Sequence, residues 1–123
     1  MAGPPSPRQQ KVGDLLRAEI SEILRMRMRD PRVGFVTVTD VTVTRDLRHA
    51  SVFVSVLGEE EKRPAVLGVL KNAAGFVRSE LGQRVELKHI PELQFKMDTS
   101  AEYGIRISSV LKKIIDEPPD DGS

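Results

Sequence analysis

Residues 35–57 read FVTVTDVTVTRDLRHASVFVSVL, and their period sets the architecture. β-branched residues alternate with polar ones over Phe35 to Thr44, the pattern of a half-buried strand. Val36 and Val38 share one parity and Val41 and Val43 the other, so the alternation slips once near Asp40 and predicts a β-bulge. Asp46 to His49 is the turn. Ala50 to Leu57 is the second strand, with Ala50, Val52, Val54 and Val56 on one face. The two make a hairpin whose long strands should occupy the centre of a sheet. Thr37, Thr39, Thr42, Thr44, Ser51 and Ser55 are polar enough to line an open face.

Helical periods flank the hairpin. Ser6-Pro7-Arg8-Gln9 has the form of a capping box with proline in the first turn. Val12, Leu15, Leu16, Ile20, Ile23 and Leu24 then form an apolar stripe. Asp30-Pro31 ends this helix, because the residue before proline leaves the α region. After the hairpin, Glu59-Glu60-Glu61 and Pro64 lead into a second amphipathic helix, Val66 to Leu81, with Gly82 as its C-terminal cap. Asn72-Ala73-Ala74-Gly75 lies in its middle. Glycine costs about 1 kcal/mol relative to alanine inside a helix, so a kink or a break into two helices is expected here. A second helix start would offer bare N–H groups beside Gly75, flanked by Lys71 and Arg78, which suits a phosphate. Alternatively, the kink only fits the helix to a curved sheet. A third strand follows Pro91, and Thr99-Ser100-Ala101-Glu102 caps a last helix carrying Ile107, Val110, Leu111 and Ile114.

The order helix, strand, strand, kinked helix pair, strand, helix predicts an α+β domain. Its three-stranded sheet has the helices packed on one face. The domain spans residues 7–116, with tails at 1–6 and 117–123 that are disordered by composition. With 123 residues and no cysteine, one modest core and no disulfide framework are expected. MAGPPSPRQQK has no apolar core of a secretory signal, and no apolar run approaches a membrane span. A cytoplasmic protein is expected. The formal net charge is +1, but Asp116, Glu117, Asp120 and Asp121 crowd the C-terminal end. Without them the charge is +5, enough to permit nucleic-acid binding.

Little points to catalysis. His49 and His89 lack clustered partners, so no metal site is expected. They sit beside Arg48 and Lys88, as a phosphate-facing patch or a plain surface would have them. There is no nucleophile elbow and no glycine-rich nucleotide loop. Asp40 and Asp46 flank the end of the first strand as bulge and turn residues, with a small hydrolase a distant reading. Arg25, Arg27, Arg29 and Arg32 suit a helix C-terminus without any ligand. A second basic set, Lys71, Arg78, Arg84, Lys88 and Lys96, lies on the second helix and the path into the third strand. Phe35, Phe53, Phe76, Phe95 and Tyr103 are the aromatics, most of them expected in the core. So few rings favour backbone and shape recognition of folded RNA over base stacking.

The chain resembles the bacterial ribosome-binding factor A family over Arg8 to Ile115. Four blocks carry the likeness: Asp30-Pro31-Arg32, VTVTDVTVTRDLRHASVFVSVL, Ala73-Ala74-Gly75 and IPELQFKMDTSAEYGIRI. The resemblance implies a KH-like fold of the second type, in which an Ala-x-Gly kink at Ala73, Ala74 and Gly75 replaces the usual Gly-x-x-Gly loop. It implies a non-enzymatic, monomeric assembly factor without a cofactor. Such a factor binds 16S rRNA within the free or immature 30S subunit, beside ribosomal proteins of the small subunit. It aids late maturation and processing of the RNA ends, matters most in the cold, and is released with the help of an assembly GTPase. The RNA-binding residues on this reading are Lys71, Ala73, Ala74, Gly75, Arg78, Arg84, Lys88 and Lys96, with Arg45, Arg48 and His49 as further candidates. The other function class is a general KH-like module for single-stranded RNA. The short acidic tail after Ile115 departs from relatives with longer or more basic extensions.

Overall fold

A computed structural model of the chain describes residues 4–28, 36–58 and 60–99. The second capping box beyond Thr99, the last helical stripe, Asp30-Pro31, Phe35 and Tyr103 lie outside those residues. Helix α1 spans Pro7–Arg27. Its start is the predicted capping box: Ser6 Oγ accepts from the Gln9 N–H at 3.1 Å, and the Ser6 N–H donates to Gln9 Oε1 at 2.9 Å. The Gln9 amide also donates to the Val43 carbonyl at 2.9 Å, which pins the helix start to the end of the hairpin's first strand.

Strand β1 is Val36–Val43 and β2 is His49–Val56, paired antiparallel with the bulge between Val38 and Asp40. A short 3₁₀ turn, Glu60–Lys62, leads into helix α2, Arg63–Arg84. Strand β3, Glu92–Met97, then pairs parallel with β2, as a helical crossover allows. The sheet order is β1-β2-β3. Only β2 is central, because the crossover returns to β2 and leaves β1 at an edge.

Both helices cover one face. Val12, Leu16, Ile20, Ile23 and Leu24 of α1 meet Val38, Val41, Val52, Val54 and Phe95 of the sheet and Val66, Leu70, Val77 and Leu81 of α2 in a single core. Leu15, expected in the stripe, is exposed. Gly13 allows the close approach of α1. A Cβ there would stand 2.6 Å from the Val41 carbonyl oxygen. On the other face, Thr37, Thr42, Thr44 and Ser55 are exposed and Thr39 and Ser51 half-exposed. Phe53 lies there too, half-exposed and in register between Asp40 and Lys96. It shares the parity of Ser51 and Ser55, so it is not a core residue. Among the described aromatics only Phe95 is buried, and Phe76 is 43% exposed.

The expected break in α2 is absent. The helix runs unbroken through Asn72–Gly75 and past Gly82 to Arg84, with Val85 as its C-cap. Magnitudes explain this. Burying Val66, Leu70, Val77 and Leu81 on one face is worth about 1.5–3 kcal/mol each, against about 1 kcal/mol lost per glycine.

Candidate nucleic-acid interface

Continuity of α2 removes the phosphate site expected beside Gly75. The N–H groups of residues 72–76 lie inside the helix, bonded to carbonyls four residues back. Gly75 is exposed, and an added Cβ would meet nothing within 4 Å. Ala74 packs against the core and Ala73 is half-buried. Lys71, Gly75 and Arg78 share one face by their spacing.

Several cations of the sequence-predicted set have structural partners. Arg78 grips the Ile90 carbonyl, with Nε at 3.1 Å and Nη2 at 2.8 Å, and so ties α2 to the segment entering β3. Arg84 Nη1 stands 3.6 Å from Glu19 and 3.9 Å from Glu22, linking α2 to α1. Arg27 Nε donates to buried Glu80 at 2.6 Å across the same helix pair. His49 Nδ1 lies 3.3 Å from Glu92 Oε2 at the start of β2 and β3. Lys96 projects from β3 on the open face of the sheet, beside Phe53.

Some of the remaining basic residues come together at one end of the sheet. Arg45, Arg48, Lys88, His89 and Arg8 line a cavity of about 390 Å³ between the start of α1, the β1–β2 turn and the segment before β3. Among the described residues none of these five side chains has a hydrogen-bond or ion-pair partner. A second hollow of about 290 Å³ adjoins it, sharing Arg48 and His89 and reaching Arg78 and Glu92. Lys71, Arg84 and Lys96 are not part of either. Arg8 was invisible in the sequence as a site residue. Its place follows from the Gln9–Val43 bond, which no local pattern encodes.

The turn that carries Arg45 and Arg48 is held rigidly. Thr44 N–H donates to the His49 carbonyl at 2.9 Å and Leu47 N–H to the Thr44 carbonyl at 2.8 Å. Asp46 Oδ1 accepts from Thr44 Oγ1 at 2.7 Å and from the Arg48 N–H at 3.1 Å. These bonds, the Thr44 hydroxyl first, hold the Asp46 carboxyl below its usual range, so it is ionised at neutral pH. Leu47 has φ 61°, a left-handed conformation that costs a non-glycine residue about 1–2 kcal/mol. Its side chain packs against the core, which points the two arginines outward. Glu92 N–H donates to the Arg48 carbonyl at 2.8 Å and fixes the turn to β3.

The far end of the sheet differs. A wider hollow of about 720 Å³ is lined by Val56, Leu57, Pro64, Leu67 and Met97 together with Glu60, Arg63 and Asp98. Among the described residues no helix is long and apolar enough to cross a membrane.

Comparison with known proteins assigns this arrangement of elements. The family model described as ribosome-binding factor A matches residues 8–111. The chain belongs to the ribosome-binding factor A family. It is 50% identical over 110 residues to the ribosome-binding factor A of Brevibacillus brevis, covering 89% of this chain and 91% of that one. The crystal structure of ribosome-binding factor A from Thermus thermophilus superposes with a TM-score of 0.65 at 27% identity, over 72% of this chain and 94% of that one. A homology model of the Thermus thermophilus factor, fitted into the cryo-EM map of a 30S complex, gives a TM-score of 0.59 at 28% identity. It covers 71% of this chain and 91% of that one. The fold is therefore the α+β, KH-like fold of the family. Within it, Arg8, Arg45, Arg48 and Lys88, which have no partner among the described residues, gather at the turn end of the sheet.

Proposed function

We propose that this protein binds the small ribosomal subunit during its assembly and contacts 16S rRNA. The observation that carries this reading is the family match over nearly the whole chain, together with the structural likeness to a factor fitted in a 30S complex. The cations without partners and the shortage of exposed aromatics support contact with backbone phosphates more than with bases. The protein acts by binding. Its binding energy favours one arrangement of the immature RNA over another, which is a population shift without chemistry. Late maturation and processing of the 16S ends, a greater requirement in the cold, and release by an assembly GTPase belong to the same reading. So do a cytoplasmic location and a monomeric state.

Two surfaces serve this function. Lys71, Gly75 and Arg78 form one face of α2, where the missing Cβ at Gly75 lets an RNA backbone come close. Beside that face Ala74 packs against the core and Ala73 is half-buried. Lys88 belongs to the turn end with Arg45 and Arg48, next to His49; Lys96 on β3 and Arg84 on α2 are further contacts on the same reading. The test is to compare the affinity of the purified protein for free small subunits with its affinity for short single-stranded oligonucleotides. Preference for the subunit, with log affinity falling linearly against log salt, is expected. Equal affinity for both would mean a general single-stranded RNA module instead.

A further inference from the structure

The cleft between the start of α1, the β1–β2 turn and the segment before β3 has properties that go past a generally basic surface. Five cationic or protonatable side chains, Arg8, Arg45, Arg48, Lys88 and His89, come from three separate segments and face one carboxylate, Asp46. That carboxylate is engaged in holding the turn through Thr44 and the Arg48 N–H. The excess positive charge is thus not neutralised within the described residues. The start of α1, a helix of 21 residues, adds the positive end of its dipole to the same place. Both arginines stand on a turn that keeps a left-handed leucine in place, and such conformations persist only where the surroundings hold them, often at binding sites.

We propose that this cleft is a phosphate-binding site for the sugar–phosphate backbone of RNA. This inference rests on the reading that the protein binds ribosomal RNA, and it names where the backbone enters. Guanidinium groups match phosphate oxygens two at a time, and the cleft offers three. Among the described residues the cavity lining has no Phe, Tyr or Trp, so the surfaces that could stack a base are limited to His89 and the arginine planes, and the surplus of cations favours phosphates over a base. The adjoining hollow, shared through Arg48 and His89, extends the cleft toward Arg78. A chain of phosphates fits that continuation better than a single anion does.

The experiment measures binding of the full chain to purified small subunits across a salt series. The double variant Arg45→Ala/Arg48→Ala changes two exposed side chains whose loss removes no hydrogen bond that shapes the turn. Its affinity should fall roughly tenfold, and its log–log salt slope should flatten by about 0.7–0.9 per contact removed. Asp46→Asn is the opposite arm. Its amide oxygen can still accept from Thr44 and the Arg48 N–H, so the turn keeps its shape with weaker bonds, while the negative charge facing the cleft is gone, so binding should tighten severalfold. If the unaltered protein binds subunits and the double variant binds with the same affinity and slope, the cleft is not the RNA site although the ribosomal reading stands. If inorganic pyrophosphate binds the free chain and depends on these arginines while subunit affinity does not, the cleft holds a free anion and the inference fails. If the unaltered protein binds no subunits, the ribosomal reading fails and takes this inference with it.

Discussion

The middle of α2 and the turn end of the sheet both carry basic residues, and they are built in opposite ways. Around Gly75 the backbone donors are used inside the helix, and the arginines that follow it are engaged. Arg78 holds the Ile90 carbonyl, and Arg84 sits against Glu19 and Glu22. At the turn end the backbone is tied down by Thr44, Asp46 and Glu92, and the cations are left facing a hollow. A cation's place in the sequence does not say which kind it is. The partner that takes up its charge does, and that partner is usually distant along the chain.

The largest expected effect concerns the packing that brings Arg8 to the cleft. Gly13→Ala places a methyl group 2.6 Å from the Val41 carbonyl oxygen, a backbone atom that cannot step aside. The substitution should cost about 1–3 kcal/mol by overpacking, although alanine is the better helix former. Thermal unfolding measures it. A midpoint equal to or above that of the unaltered protein would mean that α1 can lift from β1, and that the cleft is looser than described.

Arg78 comes next. Its removal frees the half-buried Ile90 carbonyl and unties α2 from the entry to β3. Arg78→Ala should destabilise by about 1 kcal/mol, the low end for a charge-assisted bond because the side chain is exposed. That is a shift of a few degrees in the thermal midpoint. A variant that melts normally but loses subunit binding would mean that Arg78 matters through RNA on the α2 face and not through its hold on Ile90.

Gly75→Ala should act in the reverse sense to Gly13→Ala. The glycine is in a regular helix with open space where the Cβ would stand, so alanine should stabilise by up to about 1 kcal/mol. If RNA lies close against this face, affinity falls while stability rises. Unchanged affinity in the folded variant would leave the turn end as the principal contact.

Much of the fold was legible because its signals are local. Ser6 and Gln9 form their reciprocal cap, and the parity slip around Asp40 is the bulge. Pro91 stands just before β3. What was misread depended on distant partners or on sums. Local propensity argued for a break at Asn72–Gly75, but burial along the whole of α2 outweighs it. Gly82 resembles a cap, yet the helix continues to Arg84 because Leu81 and the residues before it remain packed. Phe53 looked like a core residue by type, whereas its parity placed it on the open face. Glu80 gave no sign in the sequence of lying buried against Arg27. Of the site, Arg45, Arg48 and Lys88 are candidates by sequence alone, but their meeting with Arg8 is a product of tertiary packing.

The smallest effect tests the rigidity of the turn itself. Asp46 is held below its ordinary pKa by the Thr44 hydroxyl, then by the Arg48 N–H, with His49 and Arg48 adding attraction. A carboxyl whose folded pKa is depressed contributes stability that is fully present above its unfolded value, near 3.9. The contribution is lost as pH falls through the lower, folded value. Nothing should therefore change between neutral pH and about pH 5. Below that the turn's contribution should fade with acid. Asp46→Asn cannot titrate, so its melting temperature should be lower than that of the unaltered protein at neutral pH, and the gap should close in acid. Parallel melting curves of the two proteins from pH 7 down to about pH 2.5 measure this difference directly. A gap that stays constant across the range would mean that the ionised carboxylate does not hold the turn. The fixed presentation of Arg45 and Arg48, on which the contrast with α2 depends, would then have to come from Leu47 and the backbone bonds alone.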